Sequence, residues 1–240
     1  MDQQESAGRS RQASQSAATR ALESLLAARH SCRAFLPKAV PRPTIRRILD
    51  IAQRTATWCN TQAWQLTITE GAATERLRAA LYEHAKAGAP ARPDLPWPRE
   101  YRGVYLQRRR DSGFTYYNAV GVARGDMEAR TRQELENFRF FGAPHVALIT
   151  SDEALGPYGA LDCGAYVANF LLAAESMGVA TIVQAALARH SAFLRNYFQL
   201  SDDRLVICGI SFGFADESHP ANSFRIGRAS IDEAVSWIEQ

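Results

Sequence analysis

Arg29 and Arg33 flank Ser31 within RHSCRAF, residues 29–35. A guanidinium stays charged at any physiological pH and donates in a planar fork, so two of them around a hydroxyl suit an anion, and phosphate is the natural guest. The same arginines also fit a plainer role, complementing the dipole at the end of a helix while facing water. A second basic cluster, FRIGR, places Arg225 and Arg228 near the other end of the chain. One phosphate held between the termini would use both clusters. A third polar segment, CNTQAW, carries Asn60 and Gln62. Each carboxamide both donates and accepts, so the pair can read the edge of a flat heteroaromatic ring; the alternative is a turn that simply feeds the next strand. Trp58 beside that turn is expected to line a pocket, while Trp64 is expected in the core. Tyr116 and Tyr117 add aromatic surface and join Trp58 as candidate substrate-pocket residues.

The other reactive side chains form no motif. Cys32, Cys59, Cys163 and Cys208 lie far apart, without a CxxC pair or a histidine at zinc-ligand spacing, so neither a metal site nor a disulfide framework is expected. Cys163 and Cys208 stand in apolar settings and are expected in the core. The histidines are scattered, and His145, next to an apolar run, is expected to be packed rather than to act as a base. Arg108, Arg109 and Arg110 form a run expected to be a solvated face, though able to steer an acidic aromatic. No GxGxxG turn follows a first strand, so a dinucleotide-binding Rossmann site is not supported.

A scaffold must bring these segments together. The chain has 240 residues, 46% of them hydrophobic and 10% aromatic, which suits a packed globular protein. Its 28 Lys and Arg against 25 Asp and Glu leave a formal charge of only +3, so the molecule as a whole is not a nucleic-acid binder by charge. Residues 1–18, rich in Ser, Gln, Ala and Arg, are expected to be a flexible tail, and residues 19–240 one domain. Asp2 and Glu5, without an apolar stretch, do not read as a secretory signal, and the long apolar segment 158–178 carries Asp162, Asn169 and Glu175. A soluble cytoplasmic protein without a membrane span is therefore expected. Periodicity predicts helices after Thr19, from Pro43, over 72–87, 100–118, 126–138, 158–177 and 192–198, and from Ser230. Strands are predicted at QLTITE, HVALIT, VATIV and RLVICGISFGF. Loose alternation of the two favours an α+β arrangement of helices around one sheet.

Together the polar segments resemble the FMN-dependent nitroreductase family. RHSCRAF is similar to its Arg-x-Ser-x-Arg-x-aromatic signature and CNTQAW to its Asn-x-Gln-Pro-Trp segment. ANFLLAAESMGVAT resembles its central helix and following strand, and FRIGRASIDEAV its C-terminal basic segment. The similarity spans residues 22–238, and NFRFFGAPHVALIT most resembles the branch containing para-nitrobenzoate reductases. The resemblance implies an α+β homodimer, with a mostly antiparallel central sheet surrounded by helices and FMN sites built by both chains at the subunit interface. By position, Arg29, Ser31, Arg33 and Arg228 would hold the phosphate and ribityl chain, with His30 contributing and Arg225 as a further candidate. Asn60 and Gln62 would contact the flavin or its substrate face, and Gln184 and Ala185 would lie near the ring edge, within a QAA segment whose backbone N–H is the candidate for tuning flavin N5.

The chemistry would then be the cofactor's. NADH or NADPH would pass a hydride to N5, and a small aromatic acceptor, nitroaromatic or quinone-like, would take the electrons in the second half of a ping-pong cycle, without a catalytic side chain. Two departures from the family pattern, Ala63 in place of proline and Trp58 where small residues are common, bear on the acceptor pocket. Two alternatives remain open: a flavoenzyme dehydrogenase or reductase in a biosynthetic pathway, and a non-catalytic protein whose basic tail and arginine triplet hold an acidic partner.

Overall fold

The computed structural model of the protein describes residues 16–239. Four strands, Trp64–Glu70 (β1), His145–Asp152 (β2), Ala180–Gln184 (β3) and Arg204–Gly213 (β4), pair antiparallel in the order β1-β2-β4-β3. β2 and β4 occupy the middle with both faces covered, which is why HVALITSD and RLVICGISFG are nearly continuous in apolar character instead of alternating. Successive β2 residues feed opposite cores. Ala147 and Ile149 pack with Ile45 and Ile48 of the helix Arg42–Ala52 and with Tyr166 and Phe170 of Gly156–Glu175, whereas Val146 and Leu148 pack with Leu77 and Leu81 of Ala72–Lys86 and with Phe138 and Phe140. In chain order the helices are Ala17–Ala28 (α1), Arg42–Ala52 (α2), Ala72–Lys86 (α3), Gly103–Ala119 (α4), Met127–Leu135 (α5), Gly156–Glu175 (α6) and Ser191–Phe198 (α7). The expected α+β architecture, helices around one antiparallel sheet, is what forms.

Three expectations need correction. α1 starts at Ala17, with the Ser16 hydroxyl accepting from the Thr19 N–H at 3.1 Å, so it takes in the last residues of the segment expected as a tail; residues 1–15 of that segment lie outside the described residues. The helix expected over 126–138 ends at Leu135 and tightens into a 3₁₀ stretch, Glu136–Gly142, in which Phe140 and Phe141 adopt φ of 58° and 51° to turn both rings into the core. The helix expected from Ser230 is a single turn, Ile231–Glu233. The segment is short and includes β-branched Ile231 and Val235, and both of these, with Trp237 and Ile238, face solvent, so no packed face offsets the cost of nucleation.

The proline-rich loop between α3 and α4 is pinned by one side chain. Asp94 accepts two hydrogen bonds from Arg195 of α7, at 2.8 and 2.9 Å, and a third from the Val206 N–H of β4 at 2.7 Å. Burial alone would raise the Asp94 carboxyl, but the bonds from Arg195 and Val206 outweigh it and hold it below the usual carboxylate range. The side chains are only 10% and 18% exposed, so removing one charge strands the other. Asp94→Asn should therefore lower the unfolding free energy by about 3 kcal/mol at neutral pH. Because the folded carboxyl titrates below its unfolded value of about 3.9, its contribution is complete above that pH and is lost as pH falls through the folded value. Denaturation curves of wild type and variant should thus converge in strong acid; a deficit that persisted there would contradict the assignment.

Candidate functional site

RHSCRAF is stitched to the sheet by its backbone. The Cys32 N–H donates to Thr181 O at 3.0 Å, and Ser31 forms a parallel bridge with Thr181, so the segment covers the outer edge of β3. Further along, Leu36 N–H donates to Phe214 O at 2.8 Å and Asp216 N–H to Ala34 O at 3.0 Å. A Cβ on Gly213 would stand 2.6 Å from Pro144 Cδ and 3.3 Å from Phe35 Cδ1, so glycine is what allows this close approach. Asn222, buried, completes the join: its Oδ1 accepts from the Arg33 N–H at 2.7 Å, and its Nδ2 donates to Ala34 O and Asp216 O, both at 2.9 Å.

This clasp brings the two basic clusters together. Arg29, His30, Ser31 and Arg33 share one cavity of about 530 Å³ with Arg225, Arg228 and Ser112 of α4. Among the described residues none of the four guanidiniums has a carboxylate partner. Arg33 donates to Ser31 O, Arg225 to Asn222 O and Phe224 O, and Arg228 to Ile226 O and Gly227 O, so all three lean on main-chain carbonyls. Burial lowers the His30 pKa, which keeps the ring neutral at neutral pH. Its Nδ1 lies 3.3 Å from Ala28 O, while Nε2 is buried without a partner. Four uncompensated cations and a hydroxyl around one cavity fit a phosphate ester.

Arg33 also lines a second cavity, of about 250 Å³, with Tyr116, Tyr117, Gln184, Ala185 and Ala186. Burial pushes the Tyr116 phenol up to about 12, so it remains a donor, and its hydroxyl donates to Gln133 Oε1 at 2.7 Å. Gln184 is placed here, but its carboxamide is committed inward. Nε2 donates to Asn137 O at 2.8 Å and Oε1 accepts from the Ser211 hydroxyl, so the carboxamide is not free to face a ligand.

Asn60 and Gln62 do not join this group. They line none of the cavities that Arg33 lines, and sit instead on an exposed turn before β1, where Gln62 Nε2 donates to Asn60 O at 3.2 Å and Gln62 Oε1 accepts from Gln53 at 3.0 Å. Cys59, Asn60 and Gln62 hold φ of 51°, 55° and 49°, a left-handed conformation that costs non-glycine residues on the order of 1 kcal/mol each and is concentrated at functional sites. Trp58 is 61% exposed on this turn, its ring edge-on to Tyr158 at 4.6 Å, and so stands apart from Tyr116 and Tyr117. His145 is packed, its Nε2 accepting from the Val40 N–H at 2.9 Å. In the arginine triplet, Arg108 pairs with Glu233 and Arg109 lies over Tyr101. Sequence reasoning missed Asn222 and Ser112, which carry no local motif.

The sequence model of the Nitroreductase family matches residues 26–214. The chain is 35% identical over 219 residues to the nitroreductase NfnB of Mycolicibacterium smegmatis, covering 90% of this chain and 92% of that protein. It is 32% identical over 206 residues to a 4-nitrobenzoate reductase of Pseudomonas putida, covering 86% and 90%. Among solved structures, the FMN-dependent nitroreductase NfnB from Mycobacterium smegmatis in complex with NADPH superposes with a TM-score of 0.87 at 32% identity, over 92% of this chain and 99% of that one. The family match ends before Arg225 and Arg228, so the structure, not the match, joins these two arginines to the N-terminal cluster.

Asn222→Ala removes three hydrogen bonds from a buried position and leaves the Arg33 N–H without its acceptor. It should cost about 2–3 kcal/mol in chemical denaturation and speed hydrogen exchange at the Arg33 amide. Unchanged stability and protection would show that the clasp does not hold the two basic segments together.

Proposed function

The chain belongs to the nitroreductase family, and on that premise we propose that it is an FMN-dependent NAD(P)H oxidoreductase that reduces nitroaromatic or quinone-like acceptors in a ping-pong cycle. The observation that carries this reading is the cavity of four guanidiniums without carboxylates, contributed by both ends of the chain. Arg29, Arg225 and Arg228 line only the larger of the cavities described above and suit the phosphate, with Ser31 donating its hydroxyl. Arg33 lines both and suits the span between phosphate and ring. Backbone at 184–186, fixed by the inward bonds of Gln184, suits the ring edge. When bound, FMN supplies the acceptance and release of hydride, so no side-chain acid or nucleophile is needed. The chain's contribution is to bind and orient, to offer main-chain donors where charge develops, and to exclude water with the rings of Tyr116 and Tyr117.

Asn60, Gln62 and Trp58 lie on a separate exposed turn that is strained and lines none of the cavities that Arg33 lines. A site completed by the same turn of a second copy accounts for both facts, and we take the protein to be a homodimer on that basis. Relatives with NADPH in their descriptions favour that donor, and NADH is the alternative. Among the described residues no helix is long and apolar enough to cross a membrane. Four unpaired cysteines and a supply of reduced nicotinamide nucleotide suit the cytoplasm. A surface that holds an acidic macromolecule is less well supported, because two members of the arginine triplet are already engaged.

Purified protein mixed with FMN should show bound-flavin absorbance and oxidise NADPH when a nitroaromatic is present; protein that stays colourless would contradict the reading. Arg33→Ala should weaken FMN binding by about 1.5–3 kcal/mol, the loss of a charge-assisted contact, as measured by flavin fluorescence quenching. Unchanged affinity would mean the arginine faces something other than flavin.

A further inference from the structure

Arg33 is weakly held for a residue that lines both of the cavities described above and a third, of about 720 Å³, beside Arg78 and Arg132. Its guanidinium makes one hydrogen bond, Nη1 to Ser31 O at 3.2 Å, and no ion pair among the described residues. What supports it is the face of Tyr116, with 4.9 Å from Cζ to the ring centroid. That ring is itself braced. Its hydroxyl donates to Gln133 Oε1 at 2.7 Å, and its neighbours are the rings of Tyr117 at 5.6 Å and Phe224 at 6.3 Å. Phe224 directly precedes Arg225, so the tyrosine touches both the N-terminal arginine and the C-terminal basic segment. α4 has no fully buried residue, yet two of its side chains one turn apart reach the site, Ser112 at the larger cavity and Tyr116 at the smaller.

We propose that Tyr116 is the positioning residue of the flavin site, its ring holding Arg33 through a cation–π contact in the orientation that spans the two cavities. This inference rests on the reading of the pocket as the flavin site. An arginine with a single hydrogen bond samples many rotamers, and immobilising it on binding costs affinity. The negative face of the ring attracts the cation before the ligand arrives, and the attraction is stronger where, as here, the partners are half-buried. The hydroxyl serves to set the ring plane through Gln133; it need not touch the cofactor.

Affinity for FMN, read by fluorescence quenching on the full chain, tests this through a double-mutant cycle. Tyr116→Leu should weaken binding about three- to tenfold, and Tyr116→Phe, which keeps the ring face, by no more than about twofold. In an Arg33→Gln background, Tyr116→Leu should change affinity by less than about twofold, because the group it acts through is gone. Equal losses in both backgrounds would show a merely structural role and overturn the proposal, as would a phenylalanine variant as weak as the leucine one. Thermal melts check that each variant is folded, and Tyr116→Met replaces the leucine variant in the cycle if that one is not. If Arg33→Gln binds FMN as tightly as wild type, it is the reading of the pocket that fails, not the link between the two side chains.

Discussion

Positive charge held without a carboxylate is the constraint on which this structure turns. Arg29, Arg33, Arg225 and Arg228 surround one cavity, and among the described residues none finds an acidic partner. Like charges gathered in a half-buried pocket repel, and that repulsion opposes folding unless something else holds the segments in place. The binding force comes from the backbone. RHSCRAF adds to the edge of β3, the chain after β4 pairs with Phe35 and Leu36, and Asn222 clasps the two across 189 residues of sequence. Stability supplied by neutral hydrogen bonds and two apolar cores is thus used to hold apart-in-sequence cations together, ready for an anion. A ligand that neutralises them stabilises the folded state in proportion to its occupancy.

The rest of the site follows the same division between what is locked and what is left open. Gln184 commits its carboxamide to Asn137 and Ser211, which fixes the end of β3 beside Ala185 and Ala186, two residues that line the smaller cavity. The turn at residues 59–62 is the reverse case. Its side chains bond within the turn and to Gln53 and Asp162, its backbone is strained, and Trp58 stands in solvent with its ring against Tyr158. Strain and exposure at one place suit a surface completed by another subunit.

Much of the fold was legible because burial leaves a plain trace. β2 and β4 are covered on both faces and read as nearly continuous apolar runs; α2 and α6 show their core faces through Ile45, Ile48, Phe170 and Ala174. The helix expected at the C-terminus failed for the converse reason: its apolar residues are there, but among the described residues none covers them. For the site, types and spacing in RHSCRAF and FRIGR were enough to suggest one anion, since charge is a property of the residue. Orientation was not. Nothing in the sequence says that Gln184 turns inward, or that Asn60 and Gln62 stand apart from the arginines. Asn222 is one asparagine in a polar stretch until its three long-range hydrogen bonds are seen.

The claim that the two basic clusters form a single phosphate-binding pocket is tested most directly by titrating flavin-free protein with FMN and with riboflavin, which differ only in the phosphate. With several charge-assisted contacts at stake, each worth about 1.5–3 kcal/mol, FMN should bind at least roughly a hundredfold more tightly, and inorganic phosphate should compete with it. Equal affinities for the two flavins would contradict the account.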